Sequence, residues 1–332
     1  FLNSYPLLMI IWARKQCKNG LEYWQNNMDI QLNTIKQSKR IYILSLQQEL
    51  IDKYLGAVKN ISLSDIHYIP YFRFLMAKEF ELLFHLQAML LNILKDYEHG
   101  GIMIHCGDLS ESNYIKMSIA VSYLLGHPDI DPLSGKHYAI FTVKHTDNQV
   151  PNLFRPYEQF KMHTDGAYMN KVPDWIFFMK MDEIAAAGGR TRLLHIADWE
   201  EYEQFYKMMD KKVFRFFSTP SSSKSSSRYQ CGNEDSIYAM FLETKDKEKS
   251  IRFVDRFVYP HNIEEAEQIY QIQHSLEASN HILEIDIPIG SILLINNRFW
   301  LHGRMEFQKN SALSRTLMRQ RGSFHANDAT LY

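Results

Sequence analysis

Three side chains have the types and spacing to share one metal ion. His163 and Asp165 flank Thr164 in Lys161-Met162-His163-Thr164-Asp165-Gly166, and in an extended strand residues two apart project to the same side. One imidazole and one carboxylate hold a divalent ion poorly, so a third donor is needed. The best candidate is His302, in Asn297-Arg298-Phe299-Trp300-Leu301-His302-Gly303-Arg304. It lies just after the apolar run Ser291 to Ile295, which a jelly roll could bring beside the first segment. Two imidazoles and one carboxylate on one face leave three coordination positions open. That arrangement suits Fe(II) binding a bidentate oxoacid and then O2. The tripeptide alone is a weak signal in a chain with 14 His.

The stronger signal follows His302. In Leu313-Ser314-Arg315-Thr316-Leu317-Met318-Arg319-Gln320-Arg321-Gly322, strand alternation puts Arg315, Leu317, Arg319 and Arg321 on one face. Arginines most often serve as solvated or salt-bridged surface groups. Here they sit close behind the proposed third ligand, and a dianionic cosubstrate needs a cationic clamp. Arginine offers carboxylates a fixed bidentate fork that lysine lacks, and burying a dicarboxylate without such partners is very costly.

The elements that must position these groups change character along the chain. Leu44 to Val58, Phe74 to Tyr97 and Asn113 to Leu125 carry apolar residues at helical spacing, the second stopping at Gly100-Gly101. From His137 onward short strand-like runs dominate: 137–144, 158–164, 174–182, 190–197, 213–218, 237–243, 251–259, 282–287, 290–296 and 314–324. Many short strands separated by turn residues indicate a sandwich or barrel. Helices are expected at 199–209 and from Asn262, where Glu265 completes a capping-box pattern. Ser218 to Arg228 is low-complexity and reads as a surface loop.

Net charge is −1, with 37 basic against 38 acidic side chains, which gives no footprint for nucleic acid or for an anionic membrane surface. Cys17, Cys106 and Cys231 are scattered and never paired as CxxC, so a disulfide framework and a thiolate zinc site are not expected and a cytoplasmic location is. The early apolar run Tyr5 to Trp12 is too short to span a bilayer and lacks a cleavage pattern. With no initiator Met before Phe1, the chain reads as a fragment or processed form.

The segments GKHYAIFTVKHTDN, HTDGAY, DWIFFMKMDE, GGRTRLLHIADWE, RFVDRFVYP and INNRFWLHGR, followed by LMRQRGSF, resemble the glutarate 2-hydroxylase (carbon-starvation-induced protein D) family of 2-oxoglutarate-dependent oxygenases. The resemblance runs from about Asp65 to Phe324 and leaves the first sixty residues poorly covered. It implies a mainly β, cupin-like jelly roll (a double-stranded β-helix) flanked by helices. Residues 61–332 would form that single domain with helical insertions, preceded by a helical or extended segment 1–60. It further implies Fe(II) on His163, Asp165 and His302, with 2-oxoglutarate as cosubstrate and O2 as oxidant. Arg315 fits the arginine that holds the distal carboxylate of 2-oxoglutarate, and Arg319 one at its proximal end or at the substrate. Arg321 also matches, and Thr191 falls where a hydroxyl meets a cosubstrate carboxylate. The implied substrate is a small dicarboxylate, glutarate, hydroxylated at C2 by a homotetramer. The chain departs from the family at Ile140, where arginine is expected, which would remove a substrate-carboxylate contact. Residues 149–160 and 221–246 also diverge.

Other residues read as structural. His105 and Cys106 are adjacent in a strand and point to opposite sides, which excludes a nucleophile pair. His195 reads as a core histidine and Asp255 as a salt-bridge partner. Three functions stay open at this point: glutarate hydroxylation, the same chemistry on another small carboxylate or a sulfonate, and a zinc-binding β-barrel that is not an oxygenase.

Overall fold

The run Ser291–Asn296 (SILLIN) is buried at every position, which requires apolar layers against both of its faces. The computed structural model describes residues 32–131, 134–146, 154–209, 212–216, 236–243 and 247–325. In chain order, β1 (Leu32–Thr34) and β2 (Ile41–Ser45) precede helices α1 (Gln48–Ala57), α2 (Leu63–Tyr68), α3 (Pro70–Phe84) and α4 (Gln87–Lys95). Next come β3 (Gly101–His105), α5 (Glu111–Leu125), β4 (Gly126–Pro128), β5 (Ala139–Lys144), β6 (Phe160–His163), β7 (Trp175–Ile184) and β8 (Thr191–His195). They are followed by α6 (Tyr202–Met208), β9 (Val213–Phe216), β10 (Ile237–Ala239), β11 (Phe241–Glu243), β12 (Lys249–Ile251), β13 (Val258–Tyr259) and α7 (Ile263–Ala278). The last four strands are β14 (Leu283–Ile285), β15 (Ser291–Asn296), β16 (Trp300–Arg304) and β17 (Ser314–Phe324).

Eight strands form the larger sheet, in the order β1-β2-β3-β15-β7-β17-β4 with β5 added alongside β17. Four form the smaller one, β14-β8-β16-β6. Alternation along β15 explains the layering: Ile292 and Leu294 pack with buried residues of α1, α3, α4 and α5, whereas Leu293 and Ile295 pack with Leu193 of the smaller sheet. This is the jelly roll flanked by helices that the resemblance implies. Strands β1 and β2 belong to the larger sheet, where β2 runs parallel to β3. The helices α1–α4 supply the long crossover such a pair requires.

Several expected elements shift. Leu44 lies on β2, so the first helix begins only at Gln48. The long helix over 74–97 is two helices, because His85 adopts a left-handed φ of 52° between them; nothing in its side chain announces that break. Strand 237–243 divides into β10 and β11, and 251–259 shrinks to short pieces at 249–251 and 258–259. Asn262 does cap α7, accepting from the Glu265 N–H at 2.8 Å. The Glu265 carboxylate reaches back to His261 rather than to the cap residue. Tyr5–Trp12, Cys17, Cys231 and Ser218–Arg228 lie outside the described residues. Among those described, Cys106 is a buried free thiol, and no helix is long and apolar enough to cross a membrane.

The break at His85 has an electrostatic cost. The Glu81 carboxylate accepts the Gln87 N–H at 2.9 Å at the start of α4. Burial raises its pKa to about 7 even though the Gln87 and Leu86 backbone bonds oppose the shift. A carboxyl raised in the folded state destabilises folding once pH exceeds the unfolded value, and the penalty is complete above the folded one. Glu81→Gln keeps an acceptor for these amides and removes the charge. It is expected to raise Tm at pH 8 and to change it little at pH 4, measured by thermal unfolding at the two pH values.

Candidate metal centre and its cationic wall

Strand β16 lies between β6 and β8, and His302 pairs in register with His163 on one side and Leu193 on the other. The two imidazoles meet across the ladder with ring centroids 4.3 Å apart. Gly303 allows this approach, since a Cβ there would stand 2.5 Å from the Phe160 carbonyl oxygen.

Asp165 lies just past the end of β6, on backbone that is fixed from two sides. The Thr164 N–H donates to the Phe253 carbonyl at 2.8 Å, and Thr164 Oγ1 accepts the Phe253 N–H at 3.0 Å. Asn297 is wholly buried. Its Oδ1 accepts the Asp165 N–H at 2.9 Å, and its Nδ2 donates to the carbonyls of Asp165 at 2.9 Å and Pro173 at 3.0 Å. The turn that launches the strand of His302 therefore also grips Asp165.

The candidate donor atoms of His163, Asp165 and His302 lie within 4.8 Å of one another, and all three residues are buried. Each imidazole Nε2 is 3.6 Å from Asp165 Oδ1. His163 Nδ1 lies 2.8 Å from the Lys161 carbonyl. A carbonyl only accepts, so Nδ1 carries the proton and Nε2 presents its lone pair toward the carboxylate. Burial, together with His163, lowers the His302 pKa to about 4 against the opposing pull of Asp165, so this imidazole is neutral at neutral pH. Burial also pushes the Asp165 carboxyl upward, but Arg319 and the two imidazoles outweigh it and hold the pKa well below the usual carboxylate range. Asp165 Oδ2 and His302 Nδ1 have no hydrogen-bond partner among the described residues. Two imidazoles and an ionised carboxylate converging in a buried pocket fit a divalent transition ion such as Fe(II).

The arginines of β17 divide into two groups. Arg319 Nη1 lies 3.3 Å from Asp165 Oδ2, while its Nη2 donates to Asp131 Oδ2 at 2.9 Å. Arg321 Nη1 is 3.6 Å from the same Asp165 oxygen. Arg315 instead donates to the Gly189 carbonyl and lies over the Phe307 ring at 4.6 Å. Burial lowers its pKa to about 10, although Glu183 and Asp286 oppose the shift. Gly189 has φ of +65°, and a Cβ on it would meet the Phe307 ring at 2.1 Å. This turn therefore needs glycine both for its backbone and for its contact with the ring.

One cavity brings these groups together. His163, Asp165, His302, Thr191, Arg315 and Arg319 all line it, with apolar walls from Phe141, Phe178 and Leu317. Arg321 does not line it and backs the carboxylate of Asp165 instead. Arg304, to which sequence reading gave no role, lines it as well. Its signal was available, since it follows His302 by two in a strand. Asp131, Asn297 and Phe253 carried none, because their partners are far away in the chain. Ile140 packs with the helical layer, on the other face of β5 from Phe141. The expected loss of a substrate contact at this position is therefore corrected: residue 140 faces away from the cavity. His195 is in the core, Asp255 pairs with Lys161 at 3.4 Å, and Cys106 is fully buried.

Asn297→Ala leaves buried backbone groups at Asp165 and Pro173 unpaired, at about 1–3 kcal/mol each. Denaturant unfolding is expected to show a loss of at least about 2 kcal/mol. Co(II) titration should show affinity at least about tenfold weaker.

A family model described as CsiD matches residues 30–324. A glutarate 2-hydroxylase of Citrobacter koseri is 33% identical over 295 residues, covering 87% of this chain and 88% of that protein. Among solved structures, asparagine oxygenase in complex with Fe(II), 3-hydroxyasparagine and succinate superposes with a TM-score of 0.66 at 14% identity, covering 84% of this chain and 93% of that one. The non-haem iron oxygenase OrfP in complex with Fe and alpha-ketoglutaric acid gives 0.60 at 14% identity, covering 85% and 94%. These two structures share the fold, while the match along the sequence goes further: this chain belongs to the CsiD family.

Proposed function

We propose that the protein is an Fe(II)- and 2-oxoglutarate-dependent dioxygenase that hydroxylates glutarate at C2. The observation that carries this reading is the charge gathered at the cavity. Arg304, Arg315 and Arg319 line it, and Asp131 and Asp165 pair with Arg319. Buried cations must be matched, and the carboxylates of two dicarboxylates would supply the match. One would be 2-oxoglutarate and the other the substrate. The 33% identity to a glutarate 2-hydroxylase supports glutarate as the second. The orientation of Ile140 removes the objection raised by the sequence.

His163, Asp165 and His302 would hold the iron. When bound, ferrous iron supplies O2 activation coupled to oxidative decarboxylation of 2-oxoglutarate to succinate and CO2, with hydroxyl transfer to glutarate giving 2-hydroxyglutarate. In this reading Arg315 and Thr191 take the distal carboxylate of 2-oxoglutarate. Arg319 begins four residues further along β17, roughly 13 Å away by strand rise, and faces the substrate. Arg321 and Arg319 keep Asp165 ionised, and Asp131 holds Arg319 in place. Phe141, Phe178 and Leu317 shelter the methylenes and exclude water. The protein contributes position and charge rather than proton transfer. A zinc-binding barrel that is not an oxygenase has no use for the two guanidiniums beside Thr191.

We extend the proposal to a cytoplasmic homotetramer. The exposed apolar side chains Tyr68, Tyr71, Leu75 and Leu82 on α2 and α3 support an interface.

With Fe(II), ascorbate, O2 and 2-oxoglutarate, succinate formation is expected to rise at least about tenfold on adding glutarate, with 2-hydroxyglutarate formed in equal amount. His302→Ala should abolish both products. Stimulation by another diacid or a sulfonate but not by glutarate would reassign the substrate.

A further inference from the structure

We propose that Arg304 is a second cosubstrate-binding residue, one that ties the distal carboxylate of 2-oxoglutarate to the segment leading into the metal-bearing strand. This rests on the cosubstrate reading above. Arg304 follows His302 by two on β16, so both side chains face the cavity. Its register partner across the smaller sheet is Thr191, the hydroxyl assigned to that same carboxylate. Arg304 and Arg315 lie over one Phe307 ring, at 5.5 Å and 4.6 Å. Two like charges on one apolar ring are relieved by an anion between them, and a carboxylate has acceptor sites for both forks.

Arg304 Nη2 donates to the backbone carbonyls of Arg155 and of Glu158, the latter at 3.3 Å. These residues lie directly before β6, which ends at His163. A carboxylate that fixes the Arg304 guanidinium therefore also fixes the approach to the first metal ligand. A brace for two carbonyls needs donors but no charge, and an amide could serve. A carboxylate site needs the charge.

That difference sets the test. Binding of 2-oxoglutarate to the Co(II)-loaded protein is followed by calorimetry, and amide hydrogen exchange is followed over residues 154–160. Wild-type protein is expected to gain protection there when 2-oxoglutarate binds. Arg304→Gln should weaken 2-oxoglutarate binding at least about tenfold and lose that protection. Its Co(II) affinity should stay within about twofold, and Arg304→Lys should recover part of the 2-oxoglutarate affinity. Unchanged 2-oxoglutarate affinity in Arg304→Gln would overturn the proposal. So would wild-type protein in which 2-oxoglutarate binds without protecting 154–160, a result that holds even if a variant fails to fold. Absence of 2-oxoglutarate binding to wild-type protein would overturn the cosubstrate reading as well.

Discussion

The ionised carboxylate of Asp165 sits buried between two imidazoles and two guanidiniums. An isolated charge in such a place would cost several kcal/mol or take up a proton. Arg319 and the two imidazoles make ionisation favourable, and Asp131 in turn keeps Arg319 from being an uncompensated cation. Each member depends on the next, so the site behaves as one electrostatic unit rather than as three ligands with accessories. Neutral His302 and a His163 tautomer set by the Lys161 carbonyl complete it.

The fold serves that unit by bringing distant segments to fixed separations. Strand β15, apolar on both faces, anchors the larger sheet between the helical layer and the smaller sheet. The turn after it carries Asn297, which locks Asp165, and leads into β16 with His302 and Arg304. Strand β17 then carries Arg315, Arg319 and Arg321 beside β7. The two halves of the site, metal donors and cationic wall, thus come from consecutive strands of the two sheets plus the end of β6.

Local patterns were legible in the sequence where the chemistry itself is local. Alternation placed His163 with Asp165 and aligned the three arginines, and the resemblance supplied the jelly roll. What could not be read depends on contacts across long separations. Asp131 meets Arg319 from 188 residues away, and Asn297 meets Asp165 from 132. No short window contains either pair. The break at His85 was hidden because the apolar spacing on both sides is helical and only the backbone angle interrupts it. Ile140 misled because a departure from a family pattern does not say which face of its strand it alters.

Hydroxylation as proposed needs 2-oxoglutarate and glutarate in the cavity at once. Anaerobic calorimetric titration of glutarate into the Fe(II)-loaded protein saturated with 2-oxoglutarate tests it directly. One glutarate is expected to bind per chain with 2-oxoglutarate retained, read by separating bound from free ligand afterwards. Release of one 2-oxoglutarate for each glutarate bound would mean a single dianion site, and would contradict it.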